Sequence, residues 1–128
     1  AEVLPMGHLV DLMILSQELG MTSLVETHGL GNLLKIQKHV CFPHAGYCLL
    51  GINNRNLETM ATDINHTIRM IEVIDDKSII VSESGISKPR DLDTLRSHGV
   101  HIVLVGESLL KQPCPGEALA SLIRMNPT

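Results

Sequence analysis

VSESGI, residues 81–86, is the stretch that decides how this chain folds. The β-favouring residues that lead into it stop at an acid, a hydroxyl and a glycine, and PRDLDTLRSHG (89–99) then has the spacing of a helix with proline in its first turn. A second junction of the same kind follows, where HIVLV (101–105) runs into GES (106–108). Two successive strand-to-helix junctions with polar residues and a glycine indicate a functional site.

The rest of the chain repeats this alternation of short apolar strands and amphipathic helices. Asp63 is well placed to cap the helix that follows it, and AEVLP (1–5) is similar to the end of an earlier strand. Strands that are apolar and β-branched on both faces are typical of a parallel sheet covered by helices, so we count four complete βα units. The predicted strands are 21–26, 47–53, 77–83 and 101–105, and the predicted helices are 10–20, 30–40, 63–74, 89–99 and about 115–125.

Two α/β architectures fit this pattern. A closed (β/α)₈ barrel needs eight units and about 250 residues. An open flavodoxin-like sheet needs only five strands. The chain has 128 residues, so the pattern by itself leaves the two architectures even.

The composition excludes several classes of function. Aromatic residues make up 2% of the chain, too few for the stacking surfaces of single-strand nucleic-acid binders, and the net charge of −4 disfavours a nucleic-acid backbone. No apolar run approaches the roughly 20 residues of a membrane span, and the first residues lack the pattern of a secretory signal. We therefore expect a soluble protein that binds neither membranes nor nucleic acids.

The cysteines favour reduced thiols and an intracellular setting, because their number, three, is odd. Cys41 and Cys48 bracket His44 in CFPHAGYC (41–48), which raises the question of a metal site. The spacing fits no zinc pattern and supplies no fourth ligand, so we expect no metal.

Functional side chains of βα proteins lie where strands end and helices begin. In this chain those ends bring carboxylates, an amide, a guanidinium and two glycine junctions to one rim. Together they predict a site for a phosphate-bearing small molecule with a second anionic end. The residues concerned are Glu26, Asn53, Arg55, Glu83, Ser84, Gly85, Gly106 and Glu107.

Five of these residues also have a structural interpretation. Gly85 and Gly106 could let backbone N–H groups approach a phosphate, or could simply make tight turns. Arg55 could clamp a carboxylate or form a salt bridge with Glu58 or Asp63. Glu26 and Glu83 could divide proton transfer and hydroxyl binding, or could be a solvated strand tip and a helix-cap neighbour.

The motifs LVETH (24–28), GINNRNLET (51–59), VSESGI (81–86) and GVHIVLVGESLLKQ (99–112), in this order, resemble the C-terminal half of indole-3-glycerol-phosphate synthases. The resemblance covers essentially the whole chain. It implies a (β/α)₈ TIM barrel present as about half a barrel, from the end of strand 4 through helix 8, with residues 1–128 as one partial domain. It also implies a carboxy-lyase of tryptophan biosynthesis that uses no cofactor or metal.

The implied reaction converts 1-(2-carboxyphenylamino)-1-deoxyribulose 5-phosphate into indole-3-glycerol phosphate, CO₂ and water. By resemblance, Glu26 takes part in the proton transfers of dehydration and Asn53 orients the substrate near the carbon where the ring closes. Arg55 faces the anthranilate carboxylate. Glu83 binds the ribulose hydroxyls, and Ser84 lines the same rim.

The resemblance further implies that Gly85, Gly106 and Glu107 hold the phosphate, mostly through backbone N–H groups. Members of the family act in the bacterial cytosol or in plant plastids, so we expect the cytoplasm, or the plastid stroma if the source is a plant.

The chain departs from the family pattern in two ways. The family's general-acid lysine, a second active-site lysine and a further glutamate have no counterpart here, so we expect the chain to be inactive alone and to need the N-terminal half-barrel. CFPHAG (41–46) resembles an insertion on the face away from the rim. The lysines of the chain that fall on helical or loop stretches instead are Lys35, Lys38, Lys77, Lys88 and Lys111.

Two other functions remain open on the sequence. One is a different phosphate-binding barrel enzyme, such as phosphoribosylanthranilate isomerase, although the GINNRNL motif argues against it. The other is a non-catalytic half-barrel that pairs with itself or with a partner. Unpaired strand edges and an uncovered apolar face promote self-association, so we expect the isolated chain not to be a well-behaved monomer.

Overall fold

The computed structural model describes residues 3–39 and 48–124. Helices and strands alternate along this part of the chain, as the apolar pattern predicts. The strands are β1 (Ser23–Thr27), β2 (Cys48–Asn53), β3 (Ile80–Glu83) and β4 (Ile102–Leu104). The helices are α1 (Met6–Glu18), α2 (Leu30–His39), α3 (Asn65–Met70), α4 (Pro89–Ser97), α5 (Glu107–Leu110) and α6 (Pro115–Leu122).

The four strands form one parallel sheet whose spatial order is the same as their order in the chain. Gly51 of β2 lies at the centre of this sheet, opposite Glu26 of β1 on one side and Val81 of β3 on the other. Val81 is in turn opposite Ile102 of β4. An α/β fold with a parallel sheet is therefore confirmed. Because the strands are parallel, the carboxyl ends that carry the predicted site residues all lie at the same end of the sheet.

One face of the sheet packs against helices. Leu50, Ile52 and Ile80 occupy alternate strand positions and are fully buried beneath helical side chains such as Leu33 of α2 and Leu95 of α4. Each such side chain contributes about 1.5–3 kcal/mol of burial free energy. This face therefore holds most of the stability of the fold.

The opposite face of the sheet carries apolar side chains that no described helix covers, although Val81 within it is buried. Leu24, Ile102 and Leu104, which lie at the intervening strand positions, are 44%, 37% and 54% exposed. Parallel sheets in α/β proteins are normally covered on both faces, so this face has the composition of a buried surface without the cover. We call it the open face.

The ends of several predicted elements differ from the structure; α1, for example, begins at Met6 rather than at residue 10. The predicted helix over 63–74 ends as α3 at Met70 and continues as a single 3₁₀ turn, Ile71–Val73. The predicted strand over 77–83 begins with a 3₁₀ turn, Lys77–Ile79, because the carboxylate of Asp76 accepts a hydrogen bond from the Ser78 amide at 2.9 Å. Local side-chain capping outweighs the β propensity of this stretch.

The predicted start of α4 is confirmed, since Pro89 is its first residue. Asp63 accepts a hydrogen bond from the backbone N–H of Asn65 at 3.0 Å, but α3 begins at Asn65 with Ile64 as its N-cap residue, two residues later than predicted. Residues 3–5 of the predicted strand end AEVLP do not form a strand, and residues 1 and 2 lie outside the described part of the chain. CFPHAG (41–46) lies outside the described residues. None of the helices in the described part of the chain is long and apolar enough to cross a membrane.

Candidate active site

A cavity of about 580 Å³ opens where β3 and β4 end. Ser108 Oγ donates a hydrogen bond to the carbonyl oxygen of Ile86 at 2.8 Å and so ties the two strand-end loops together. Six of the eight predicted site residues line this cavity, and the other two, Glu26 and Asn53, are the neighbouring strand-end residues on β1 and β2. The six are Arg55, Glu83, Ser84, Gly85, Gly106 and Glu107.

Asn53 connects the end of β1 to the loop after β2. Its side-chain amide nitrogen donates to Glu26 Oε1 at 2.7 Å, and its side-chain oxygen accepts from the Arg55 backbone amide at 2.9 Å. The imidazole of His28 also contacts the backbone carbonyl of Asn53, with 2.8 Å between Nδ1 and oxygen. Both the nitrogen and the oxygen of the Asn53 side-chain amide are thus hydrogen-bonded, and this fixes the carboxylate of Glu26 at the rim.

Glu83 is the buried carboxyl of the site. It is 4% exposed, and its Oε1 atom receives no hydrogen bond from the part of the chain that the structure describes. Burial, with a smaller contribution from the negative charge of Glu26, raises the pKa of Glu83 to about 7. A carboxyl with such a pKa is present in both protonation states at neutral pH, which suits proton transfer.

The buried carboxyl predicts a pH-dependent stability. Because the pKa of Glu83 rises from 4.5 in the unfolded chain to about 7 in the folded one, the free energy of unfolding should fall as pH rises between these values. Glu83→Gln should remove about 2 kcal/mol of this decline, at roughly 1.4 kcal/mol per pKa unit. Urea unfolding at about pH 5 and about pH 8 measures it. The exposed Glu72→Gln is the control, and an equal decline in wild type and Glu83→Gln would contradict this assignment.

Arg55 and Lys111 share one carboxylate at the mouth of the cavity. The Arg55 guanidinium donates to Glu107 Oε2, and the Lys111 ammonium donates to Oε1 of the same side chain. Lys111 first, and Arg55 after it, hold the pKa of Glu107 below its usual value. The intramolecular partner of Arg55 is therefore Glu107; the alternatives Glu58 and Asp63 were wrong.

Lys111 is a cavity residue that the sequence did not single out. Its helical position suggested a surface lysine, and the available signal was its spacing of four residues from Glu107. Asp63, the other predicted partner of Arg55, forms its salt bridge with Arg69 at 3.1 Å. The cavity therefore carries one more cation than predicted, and the Glu107 carboxylate neutralises part of that positive charge.

The turn after β3 has an unusual backbone. Ser84 and Gly85 both have positive φ angles, 67° and 76°. Glycine accepts this conformation freely, but for serine it costs about 1–2 kcal/mol. A side chain at Gly85 would also come within 3.0 Å of Thr62 Cβ. The turn is therefore held in place by its surroundings rather than by local preference.

A buried polar network under the rim holds this turn. Asn54 Nδ2 donates to Ser82 Oγ at 3.0 Å and to the backbone carbonyl of Ser84 at 3.1 Å. Asn54 Oδ1 accepts from the amide and the hydroxyl of Thr67, at 3.1 and 2.8 Å. The side chains of Asn54, Thr67 and Ser82 are at most 2% exposed. The sequence shows only a pair of asparagines, and the structure assigns Asn54 to this network.

The described residues do not form a metal centre. Within 3–39 and 48–124 no three histidine, cysteine, aspartate or glutamate side chains are grouped as a metal ion would require. Cys48 is buried in β2, and burial raises the pKa of its thiol, which disfavours the thiolate that metals bind. Cys41 and His44 lie outside the described residues.

Consecutive parallel βα units, with carboxylates and cations gathered at the carboxyl ends of the strands, are typical of the class of α/β proteins whose functional sites lie at this rim. Within that class, the chain belongs to the indole-3-glycerol phosphate synthase family, whose model matches residues 1–122. The resemblance of the strand-end motifs is thereby confirmed.

Curated relatives named indole-3-glycerol phosphate synthase support this assignment. The protein of Carboxydothermus hydrogenoformans is 38% identical over 116 residues, which cover 90% of this chain and 42% of the relative. The proteins of Rippkaea orientalis and Acinetobacter baylyi are 42% and 45% identical over 111 and 75 residues. These matches cover 83% and 59% of this chain, and 36% and 28% of those relatives. The chain thus spans less than half the length of these relatives.

A solved structure agrees at the level of the fold. A chain in the crystal structure of the Amycolatopsis orientalis BexX/CysO complex superposes with a TM-score of 0.54 at 20% identity. The match covers 93% of this chain and 51% of the other. At this identity the likeness concerns the α/β architecture alone.

Proposed function

We propose that residues 1–128 form the C-terminal half of a (β/α)₈ barrel that makes indole-3-glycerol phosphate. The reaction closes the indole ring of the carboxyphenylamino-deoxyribulose phosphate with loss of CO₂ and water. The observation that carries the proposal is the cavity at the strand ends. In it, two carboxyls, an arginine and a lysine are arranged beside two glycine loops, within a chain of the synthase family.

The open face supports the half-barrel. Its apolar residues Leu24, Ile102 and Leu104 would become interior layers of a closed barrel, and β1 and β4, which are the edges of the four-stranded sheet, would pair with the remaining strands. The share of the relatives that lies outside this match is long enough to supply those strands. The proposed domain is therefore partial, from the end of the fourth barrel strand through the eighth helix.

The proposed chemistry assigns separate roles to the carboxyls. Glu26, fixed by Asn53, moves protons during dehydration, while Asn53 orients the substrate near the ring-closing carbon. Glu83 holds the ribulose hydroxyls, and its pKa of about 7 lets it donate or accept hydrogen bonds as the charge changes. The lysine that acts as general acid comes from the half of the barrel outside this chain.

The proposed binding of the anionic ends uses both loops. Arg55 takes the anthranilate carboxylate, which displaces the Glu107 carboxylate from the guanidinium. The backbone N–H groups of Gly85, Gly106 and Glu107 take the phosphate. Ser84 lines the rim between these two ends. Lys111 then remains paired with Glu107 and keeps the negative charge of the Glu107 carboxylate away from the phosphate.

Complementation tests the proposal. We expect no indole-3-glycerol phosphate from the chain alone and clear formation after mixing with the N-terminal half-barrel of the Carboxydothermus hydrogenoformans relative, since a general acid contributes about 10²–10⁴-fold. Product is measured by its indole absorbance, and the N-terminal half alone is the control. Activity of this chain alone would overturn the half-barrel assignment. A folded but inactive mixture would overturn the proposed reaction.

The open face also favours self-association in the absence of the other half. Leu24, Ile102 and Leu104 present an apolar surface next to the unpaired edges of the sheet, and such surfaces promote pairing between copies. Sedimentation of the chain with and without the N-terminal half-barrel distinguishes an incomplete barrel, whose self-association the added half suppresses, from a non-catalytic module that keeps it.

A further inference from the structure

Gly51 lies inside β2, one of the two central strands of the sheet. Glycine in the interior of a strand weakens it, and it usually marks a close approach by another group. A Cβ atom added at Gly51 would lie 2.0 Å from Glu83 Oε1, 3.0 Å from Glu83 Cδ and 3.3 Å from Leu24 Cδ1. The missing side chain therefore leaves a space that the Glu83 carboxyl occupies. We call this space the Gly51 notch.

The register of the sheet explains why the notch lies inside the site. Glu83 is paired with Asn53, two residues beyond Gly51 on β2, so its side chain leans back over Gly51 toward β1. Glu26 is the β1 residue opposite Gly51. The notch thus brings the buried carboxyl toward the carboxylate on the neighbouring strand, with Leu24 as its apolar wall.

We propose that Gly51 is a positioning residue, and that the notch it leaves holds the Glu83 carboxyl out of water beside Glu26. Any side chain at position 51 drives the carboxyl out of this place, because 2.0 Å is far below van der Waals contact. The consequence for catalysis rests on the proposed function. The placement of the Glu83 carboxyl does not, and it is measured separately.

The notch predicts a variant that is stable but altered at the site. The atom in the way of a Cβ is the far end of a flexible glutamate, so Gly51→Ala moves that side chain rather than the strand. Replacing a strand glycine also lowers the conformational entropy that the chain loses on folding. A purely structural role for Gly51 makes the opposite prediction, a loss of stability with an unchanged Glu83.

The first measurement is the titration of Glu83 by carboxyl NMR in the chain joined with the N-terminal half-barrel. In Gly51→Ala we expect the pKa of Glu83 to move down, toward its ordinary value of 4.5, because the carboxyl becomes hydrated. Gly31→Ala, whose added Cβ would meet nothing within 4 Å, is the matched control and should leave the titration unchanged. Leu24→Ala opens the wall of the notch without filling it and should lower the pKa in part.

The second measurement is kinetic. Because Glu83 holds the ribulose hydroxyls in the proposed function, Gly51→Ala should raise KM about tenfold with a smaller change in kcat. It should also move the limb of the pH profile of kcat/KM that depends on Glu83 toward acid. An unchanged Glu83 titration in both Gly51→Ala and Leu24→Ala would overturn the proposal. A shifted titration in a protein without synthase activity would support the notch and overturn the proposed function alone.

Discussion

Glu26→Gln is expected to lower kcat by about 10²–10⁴-fold in the barrel completed with the N-terminal half, because glutamine cannot exchange the proton of the dehydration step. The hydrogen bond from Asn53 Nδ2 can still be accepted by the glutamine oxygen, so the geometry of the rim should survive. KM should therefore change little. Steady-state formation of indole-3-glycerol phosphate measures both constants.

The control for this substitution is Glu58→Gln, an exposed carboxylate in the loop after β2. It changes the net charge by the same amount without touching the cavity and should leave kcat within about twofold of wild type. A loss of less than tenfold in Glu26→Gln would assign the proton transfers to another group, and Glu83, the neighbouring carboxyl with a pKa of about 7, would take that role.

Asn54→Ala is expected to cost about 3 kcal/mol of stability. The substitution removes Asn54 Oδ1, which accepts from the amide and the hydroxyl of Thr67, and Asn54 Nδ2, which donates to Ser82 Oγ and to the Ser84 carbonyl. These groups of Thr67, Ser82 and Ser84 then lose the hydrogen bonds that the asparagine side chain makes with them. Urea unfolding of the completed barrel measures the loss. Asn65→Ala, which removes an exposed asparagine at the start of α3, should cost less than about 0.5 kcal/mol.

The same substitution should reach the site. Without the hydrogen bond from Asn54 Nδ2 to its carbonyl, the Ser84–Gly85 turn loses a contact that holds its strained backbone. We expect a rise in KM of about tenfold in material that is still folded, since a turn that lines the cavity is loosened. A stability loss below about 1 kcal/mol would show that water replaces the asparagine at little cost.

The sequence was enough to predict the order of the helices and strands and the residues that form the rim at the strand ends. Alternating apolar segments predicted β1 to β4, and the placement of Glu26, Asn53, Arg55 and Glu83 at their ends followed from the general rule for βα units. The hydrogen bond from the Asn65 amide to Asp63 is equally local, since it depends on residues that are neighbours in the chain. The motifs also sufficed to predict the family that residues 1–122 match.

The predictions from the sequence were wrong where local side-chain capping or contacts between distant residues outweigh secondary-structure propensity. The shortened strand β3 reflects the hydrogen bond from Ser78 to Asp76, and the partner of Arg55 proved to be Glu107, 52 residues away. Lys111 was missed for the same reason, because it lies in the cavity where it forms a salt bridge with the Glu107 carboxylate. Pairings across such separations depend on the register of the sheet, which a pattern of residue types does not specify.

What the sequence by itself determined is therefore which side chains stand at the strand ends, because periodicity and turn residues are properties of neighbouring residues. Only the tertiary structure decided how they work together. It placed Asn53 at the rim and Asn54 in the buried network, and it placed the Glu83 carboxyl over Gly51. Desolvation and the nearby charge of Glu26, which set the pKa of Glu83, come from strands that are adjacent only after folding.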